Sequence, residues 1–277
     1  MGRIWAEIVR IFRLDTSEPH YWKGHIVLLL ILCEAFFLLS KTPRVETYNG
    51  SDFWFAIIHF IIPYGTLPVS LVIIVWLGRD VVRALRGIPN LSTNDFMAQG
   101  GMSLPPMGMD GFNYLAFVRM ILEGLVFGFL LFKLLPLLTF FLLDVVMGGE
   151  VYIPGSLDSN ENMYDFHTNV FQNMAIAFCA GAYEELIFRK WLFEFLVNIA
   201  PRYIKQTYFH LTGAIIVSAM IYAFSHYLYP VGDTLSTYSL MYRVFFGVIM
   251  CLVMYNRNLG IAAWTNAWYQ LLYFAGA

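Results

Sequence analysis

Seven apolar runs, near residues 25–40, 53–78, 114–143, 168–199, 210–229, 240–256 and 258–276, decide what this chain can fold into. Most reach or exceed the length, about 20 residues, that crosses the hydrocarbon of a bilayer as a helix; the first and sixth are short. Lipid offers no partner to backbone N–H and C=O groups, so a spanning segment must satisfy them within itself. The chain is 59% hydrophobic and 13% charged, about half the charge of an ordinary soluble domain. The expected fold is therefore all-α: a polytopic membrane helix bundle forming a single integral membrane domain over 1–277. Seven transmembrane helices are expected. The number rises to eight if the run 53–78, which holds Pro63, Gly65 and Pro68, or the run 168–199 is broken in two.

The basic residues support this count. Arg3, Arg10, Arg13 and Lys23 precede the first run, Arg79, Arg83 and Arg86 follow the second, Lys190, Arg202 and Lys205 follow the fourth, and Arg257 follows the sixth. The intervening segments hold Lys41 and Arg44, then none in 144–167 and none in 230–239. This alternation places the N-terminus in the cytosol and the acidic segment with Glu150, Asp158, Glu161 and Asp165 outside. Residues 1–24 read as an N-terminal amphipathic or cytosolic segment. Ile4, Trp5, Ile8, Val9 and Phe12 recur at helical spacing with charges opposite them, which suits a helix lying in the interface. No cleavable signal peptide is expected, because the early charges interrupt any apolar centre. The stretch 87–111 reads as a long cytosolic linker. The net charge of -2 leaves no basic face for nucleic acid. Cys33, Cys179 and Cys251 lie in separate apolar runs and are expected to be packing residues.

Within the fourth run stands Glu184-Glu185-Leu186-Ile187-Phe188-Arg189-Lys190. Ionisable groups at membrane depth cost on the order of 2.5–3.5 kcal/mol each and mark function or tight pairing. Successive helical positions are about 100° apart, so the two carboxylates are expected to face different ways. Glu185 and Arg189 are i,i+4 in the favoured order for an ion pair, which leaves Glu184 free to face a cavity. A carboxylate held between an apolar surround and a guanidinium can act as a general base toward water. A salt-bridge cluster that locks helices together is the alternative reading of the same residues. Tyr222 and His226 share a face late in the fifth run, and Asn266 and Gln270 share one in the last. One base, one imidazole and two amides meet the needs of peptide-bond hydrolysis: activation of water, a proton shuttle and donors for the oxyanion. The fourth helix is expected to continue past Phe188 through Val197, which brings Glu184 toward the membrane midplane and His226.

Glu-Glu-x-x-x-Arg, an aromatic-x-x-x-His and a final pair at i,i+4 together resemble the CAAX prenyl protease and bacteriocin-processing (Abi) family of intramembrane endopeptidases. The resemblance covers roughly 168–276, the expected protease core. It implies that Glu184 activates water, that Glu185 and Arg189 are its motif companions, and that His226 shares the activated water. It also implies that Asn266 stands where a second histidine is usual, Gln270 where asparagine is usual, and Tyr222 where phenylalanine is usual. Asparagine for histidine keeps a donor and loses a proton carrier and a good metal ligand. An oxyanion role survives this change and a histidine-rich metal site does not. The expectation is a metal-free, glutamate-activated water, with zinc the alternative. The implied partner is a membrane protein or peptide substrate, and the implied location is a bacterial plasma membrane. Two other functions fit the same residues: an inactive relative serving as scaffold or immunity protein, and a small transporter using the buried charges as a proton relay.

Further polar residues lie in the runs: Glu34, His59, Arg119, Glu123, Lys133 and Arg243. Arg119 and Glu123 are spaced to pair, Arg243 to snorkel to the outer interface, and His59 is a lesser candidate for lining the cavity. Gly124 and Gly128 form a G-x-x-x-G, a packing signal in membrane helices.

Overall fold

A computed structural model describes residues 19–40, 67–86, 113–147, 170–199, 207–227 and 236–275. These residues form helices and no strand. They are α1 (Pro19–Ser40), α2 (Leu67–Leu85), α3 (Tyr114–Met147), α4 (Val170–Glu184), a π-helical segment (Glu185–Phe193), α5 (Glu194–Ile199), α6 (Thr207–Ser225), α7 (Thr237–Asn256) and α8 (Leu259–Phe274). The π segment joins α4 to α5 without a break, so the described residues make seven rods, and the expected all-α bundle is the fold. Tyr21–Ser40, Tyr114–Val145 and Thr237–Asn256 are long and apolar enough to cross a membrane. Large apolar side chains such as Leu38, Val75, Leu137 and Phe141 stand exposed on the outside of the rods, as a lipid-facing surface requires. The N-terminal amphipathic segment before Pro19, His59, the stretch 87–111 and the acidic segment lie outside the described residues.

Neighbouring rods run antiparallel. Lys23 of α1 meets Asp80 near the end of α2, while Glu34 near the end of α1 meets Ser70 near the start of α2. The same reasoning orders α6 against α7, through Tyr222 with Phe246 and Tyr227 with Ser239. Lys23 and Lys190 both approach the Trp22 ring, at 5.7 and 5.0 Å. Arg257, in the α7–α8 turn, meets Glu123 at 2.6 Å. The basic residues at the helix ends thus gather at one end of the bundle, the asymmetry expected of a membrane protein. Glu123 also takes Arg119 at 3.4 Å, as the spacing predicts. All three cysteines are buried and free.

The core is organised around α8, whose residues Leu259 to Ala267 are all buried. Glycines let its backbone come close. A Cβ on Gly124 would lie 2.5 Å from Cβ of Trp264, and one on Gly128 would lie 2.9 Å from the Thr265 carbonyl oxygen. From the other side, a Cβ on Gly181 of α4 would lie 2.6 Å from the Ala263 carbonyl oxygen. The G-x-x-x-G on α3 is therefore a helix–helix contact surface, and α4 grips the opposite flank of α8 through a third glycine.

Two outcomes follow from this packing. Gly128→Ala forces α3 off α8 and lowers stability by about 1–3 kcal/mol, whereas Gly78→Ala, which would meet nothing within 4 Å, leaves it unchanged or slightly raised; unfolding in detergent measures both. Asp80 lies beyond the apolar stretch of α2, and its hydrogen bond from Lys23 holds its carboxyl below the usual carboxylate range. That pair stabilises the fold above the unfolded carboxylate pKa of about 3.9, and the contribution fades as pH falls through the lower folded value. Asp80→Asn is expected to cost about 1 kcal/mol or less at neutral pH, with the difference from the parent disappearing in acid.

Candidate functional site

Glu184 and Glu185 sit where an α-helix becomes a π-helix. In a π-helix the backbone bonds run i→i+5, and such turns are frequent at functional sites. The wider turn changes which side chains stack. The residue one turn beyond Glu184 becomes Arg189, which also stands beside Glu185. Arg189 Nε lies 3.4 Å from Glu185 Oε2, with both side chains buried. The expected pair exists, but it is an ion contact rather than a hydrogen-bonded fork: Arg189 Nε, Nη1 and Nη2 and Glu185 Oε2 make no hydrogen bond among the described residues. The guanidinium instead lies over the Tyr222 ring, 4.4 Å from its centroid, a cation–π contact that partly offsets burial.

Spacing of 100° per residue sets the two carboxylates on different faces. The structure brings them to one partner. Asn266 Nδ2 donates to Glu184 Oε2 at 3.1 Å and to Glu185 Oε1 at 3.0 Å. The physical reason is twofold. The α-to-π transition falls between these two residues, and glutamate side chains are long enough to converge on an amide held close by the glycine contacts of α8. Both Asn266 N–H groups are thereby committed to carboxylates, while its Oδ1 has no partner among the described residues. Tyr222 Oη also donates to Glu184 Oε2, at 3.3 Å. One oxygen of Glu184 thus receives two donors, and Oε1 makes no hydrogen bond among the described residues. A phenylalanine at 222 could not make this contact.

His226 follows the last residue of α6. Its ring packs edge-on against Tyr222 with centroids 4.7 Å apart. Nδ1 lies 2.9 Å from the Tyr222 carbonyl oxygen, which can only accept, so Nδ1 carries the proton and donates. Nε2 is left with its lone pair outward, available to take a proton. The expected continuation of the fourth helix is present: the rod runs to Ile199, so Glu184 lies at its middle. His226 is one turn, about 6 Å of rise, beyond the tyrosine that touches Glu184. Gln270 lies one turn past Asn266 on α8, half-buried, and makes no hydrogen bond to this cluster among the described residues.

Arg243 was expected to snorkel to the interface. It is half-buried, with its guanidinium 5.9 Å from the centroid of the Tyr227 ring. Tyr242 and Tyr269 share a hydroxyl–hydroxyl hydrogen bond on the same flank, with Tyr269 against Phe246. No three His, Cys, Asp or Glu side chains converge among the described residues. Glu34 is spent elsewhere, accepting from Ser70 at 2.6 Å, with Tyr183 Oη 2.7 Å from the same hydroxyl.

Charge compensation makes a test. Arg189→Gln leaves buried Glu185 without its cation and is expected to destabilise the bundle by about 3–5 kcal/mol. Adding Glu185→Gln to that variant recovers most of the loss, and a double-mutant cycle on unfolding in detergent measures the coupling.

Residues 166–272 match a family model described as Rce1-like, type II CAAX prenyl endopeptidase Rce1-like. The match covers the π segment, both carboxylates, Arg189, His226, Asn266 and Gln270. No curated protein and no solved structure shows significant similarity to the chain.

Proposed function

From a chain whose residues 166–272 form a domain of the CAAX prenyl protease and Abi family, we propose an intramembrane endopeptidase that hydrolyses a peptide bond of a membrane-associated protein or peptide. The observation that carries this reading is the split environment of Glu184. Tyr222 and Asn266 occupy Oε2, which leaves Oε1 for a water. Glu184 takes a proton from that water as it attacks the scissile carbonyl. His226, with Nδ1 committed to a backbone carbonyl, accepts a hydrogen bond from the same water at Nε2 and then relays the proton held by Glu184 to the leaving amine, which restores both groups. Glu185 and Arg189 hold the charge balance beneath. Asn266 and Gln270 supply amides to the oxyanion. For Asn266 this role requires one N–H to leave a carboxylate as Glu184 becomes protonated, a change that lowers the carboxylate's pull when negative charge develops on the substrate oxygen.

The chemistry is metal-free in this reading, because asparagine at 266 supplies no imidazole; zinc is the competing assignment. The basic end of the bundle is the cytosolic end, which puts the N-terminus of α1 in the cytosol, and the membrane is a bacterial plasma membrane. The scaffold or immunity-protein reading is favoured by one observation, that both Asn266 donors are already engaged.

Purified protein in micelles, offered a broad set of membrane peptides, is expected to cleave some of them. Glu184→Ala is expected to lower the rate by about 10²–10⁴-fold, His226→Ala by a similar factor, and chelators to leave it unchanged. Cleavage abolished by chelation and restored by zinc contradicts the metal-free assignment. Absence of cleavage by the parent across the whole set favours the scaffold.

A further inference from the structure

At the basic end of the bundle, where α5 and α7 both finish, a cleft of about 320 Å³ opens between them. That volume falls at the small end of the range of ligand sites, about 300–1,000 Å³. Phe193, Glu194, Val197, Asn198, Met254 and Tyr255 line it. The first four recur at i, i+1, i+4 and i+5, so one stripe of a helix makes one wall. Met254 and Tyr255, in the last turn of α7, make the other. The floor is apolar. Phe193 is buried, and Val197 and Met254 pack in the same apolar cluster. The mouth is polar: Glu194 is half-buried there, and Asn198 and Tyr255 are exposed.

Glu194 Oε1 takes a hydrogen bond from Lys190, and its Oε2 makes none among the described residues. Lys190 stands N-terminal to Glu194, the reverse of the favoured helical order, and both side chains are partly exposed. Such a pair contributes little to the fold. Lys190 also lies over the Trp22 ring, 5.0 Å from its centroid, and does not line the cleft. Among the described residues no cationic side chain does. The cleft therefore presents a carboxylate oxygen, a carboxamide and a phenol ring above an apolar floor. On the same two helix ends Trp191, Phe195 and Tyr255 stand exposed, and aromatic rings gather in this way at the headgroup level of a bilayer.

We propose that this cleft binds a phospholipid whose headgroup carries a primary ammonium. The ammonium donates to Glu194 Oε2 and to the carbonyl oxygen of the Asn198 side chain, and its charge faces the Tyr255 ring. The phosphate, a short ethylene link away, lies toward Lys190 at the edge of the cleft. One acyl chain starts over Val197 and Met254 and continues down the lipid-facing side of α7, where Leu252 is exposed. A zwitterionic headgroup thus meets the Lys190–Glu194 pair with opposite charges matched. A purely anionic headgroup would bring like charge against Glu194. A trimethylammonium headgroup has the charge but no N–H for the carboxylate and the amide. The occupant comes from the surrounding membrane, and its binding does not depend on what happens at Glu184.

The test uses the full chain, delipidated in detergent and titrated with phosphatidylethanolamine, phosphatidylcholine or phosphatidylglycerol of identical acyl chains. Bound lipid is read by native mass spectrometry. Phosphatidylethanolamine is expected to bind about tenfold more tightly than either of the others. Glu194→Gln is expected to lower that affinity about tenfold and to abolish the preference over phosphatidylcholine, with the thermal midpoint of the lipid-free protein little changed. Asn198→Leu, at an exposed position, is expected to weaken phosphatidylethanolamine several-fold and to leave phosphatidylglycerol as it was, which keeps the test open should Glu194→Gln fail to fold. Soluble glycerophosphoethanolamine is expected not to compete at the concentration of the lipid. Competition by it would make a free amine the ligand and overturn the lipid assignment. Equal binding of the three lipids by the parent, tightest binding of phosphatidylglycerol, or a preference for phosphatidylethanolamine that survives both substitutions also overturns the proposal.

Discussion

Everything at the candidate site depends on how closely α8 can be approached. Gly124 and Gly128 bring α3 against one flank, and Gly181 brings α4 against another, at separations no Cβ would allow. That proximity carries Asn266 into reach of two carboxylates that helical periodicity alone would send apart. Glycine thus contributes no chemistry here and decides where the chemistry sits. Between lipid-facing helices there is little hydrophobic gain to be had, so close backbone contact of this kind is a main source of association.

The polar cluster then solves a charge problem. Two carboxylates and Arg189 share an apolar surround, and each is held by something other than water. Asn266 bridges the acids, Glu185 faces the guanidinium, and Tyr222 serves twice, with its hydroxyl on Glu184 and its ring under Arg189. A buried group whose partners occupy only one of its two oxygens is held in orientation without being neutralised. That is a useful condition for a base, and it comes here from ordinary hydrogen bonds rather than from backbone strain.

Much of this was legible in the residues. The rods fall close to the apolar runs, the Glu185–Arg189 and Arg119–Glu123 pairs follow from i,i+4 spacing, and the two glycines of α3 mark a contact. What could not be read was angular. Successive side chains of an α-helix turn by 100°, and the π-helix at Glu185–Phe193 breaks that rule where it decides the geometry. No composition signal marks a π turn, whose stability comes from tertiary packing.

The central claim is that Glu184 acts through a water molecule and not by direct attack. A single turnover in H2(18)O, followed by mass analysis of both product and protein, tests it. The account predicts one heavy oxygen in the newly formed product carboxylate and none in the Glu184 side chain. Heavy oxygen in Glu184 would mean that the carboxylate itself had joined the substrate, and the account would be wrong.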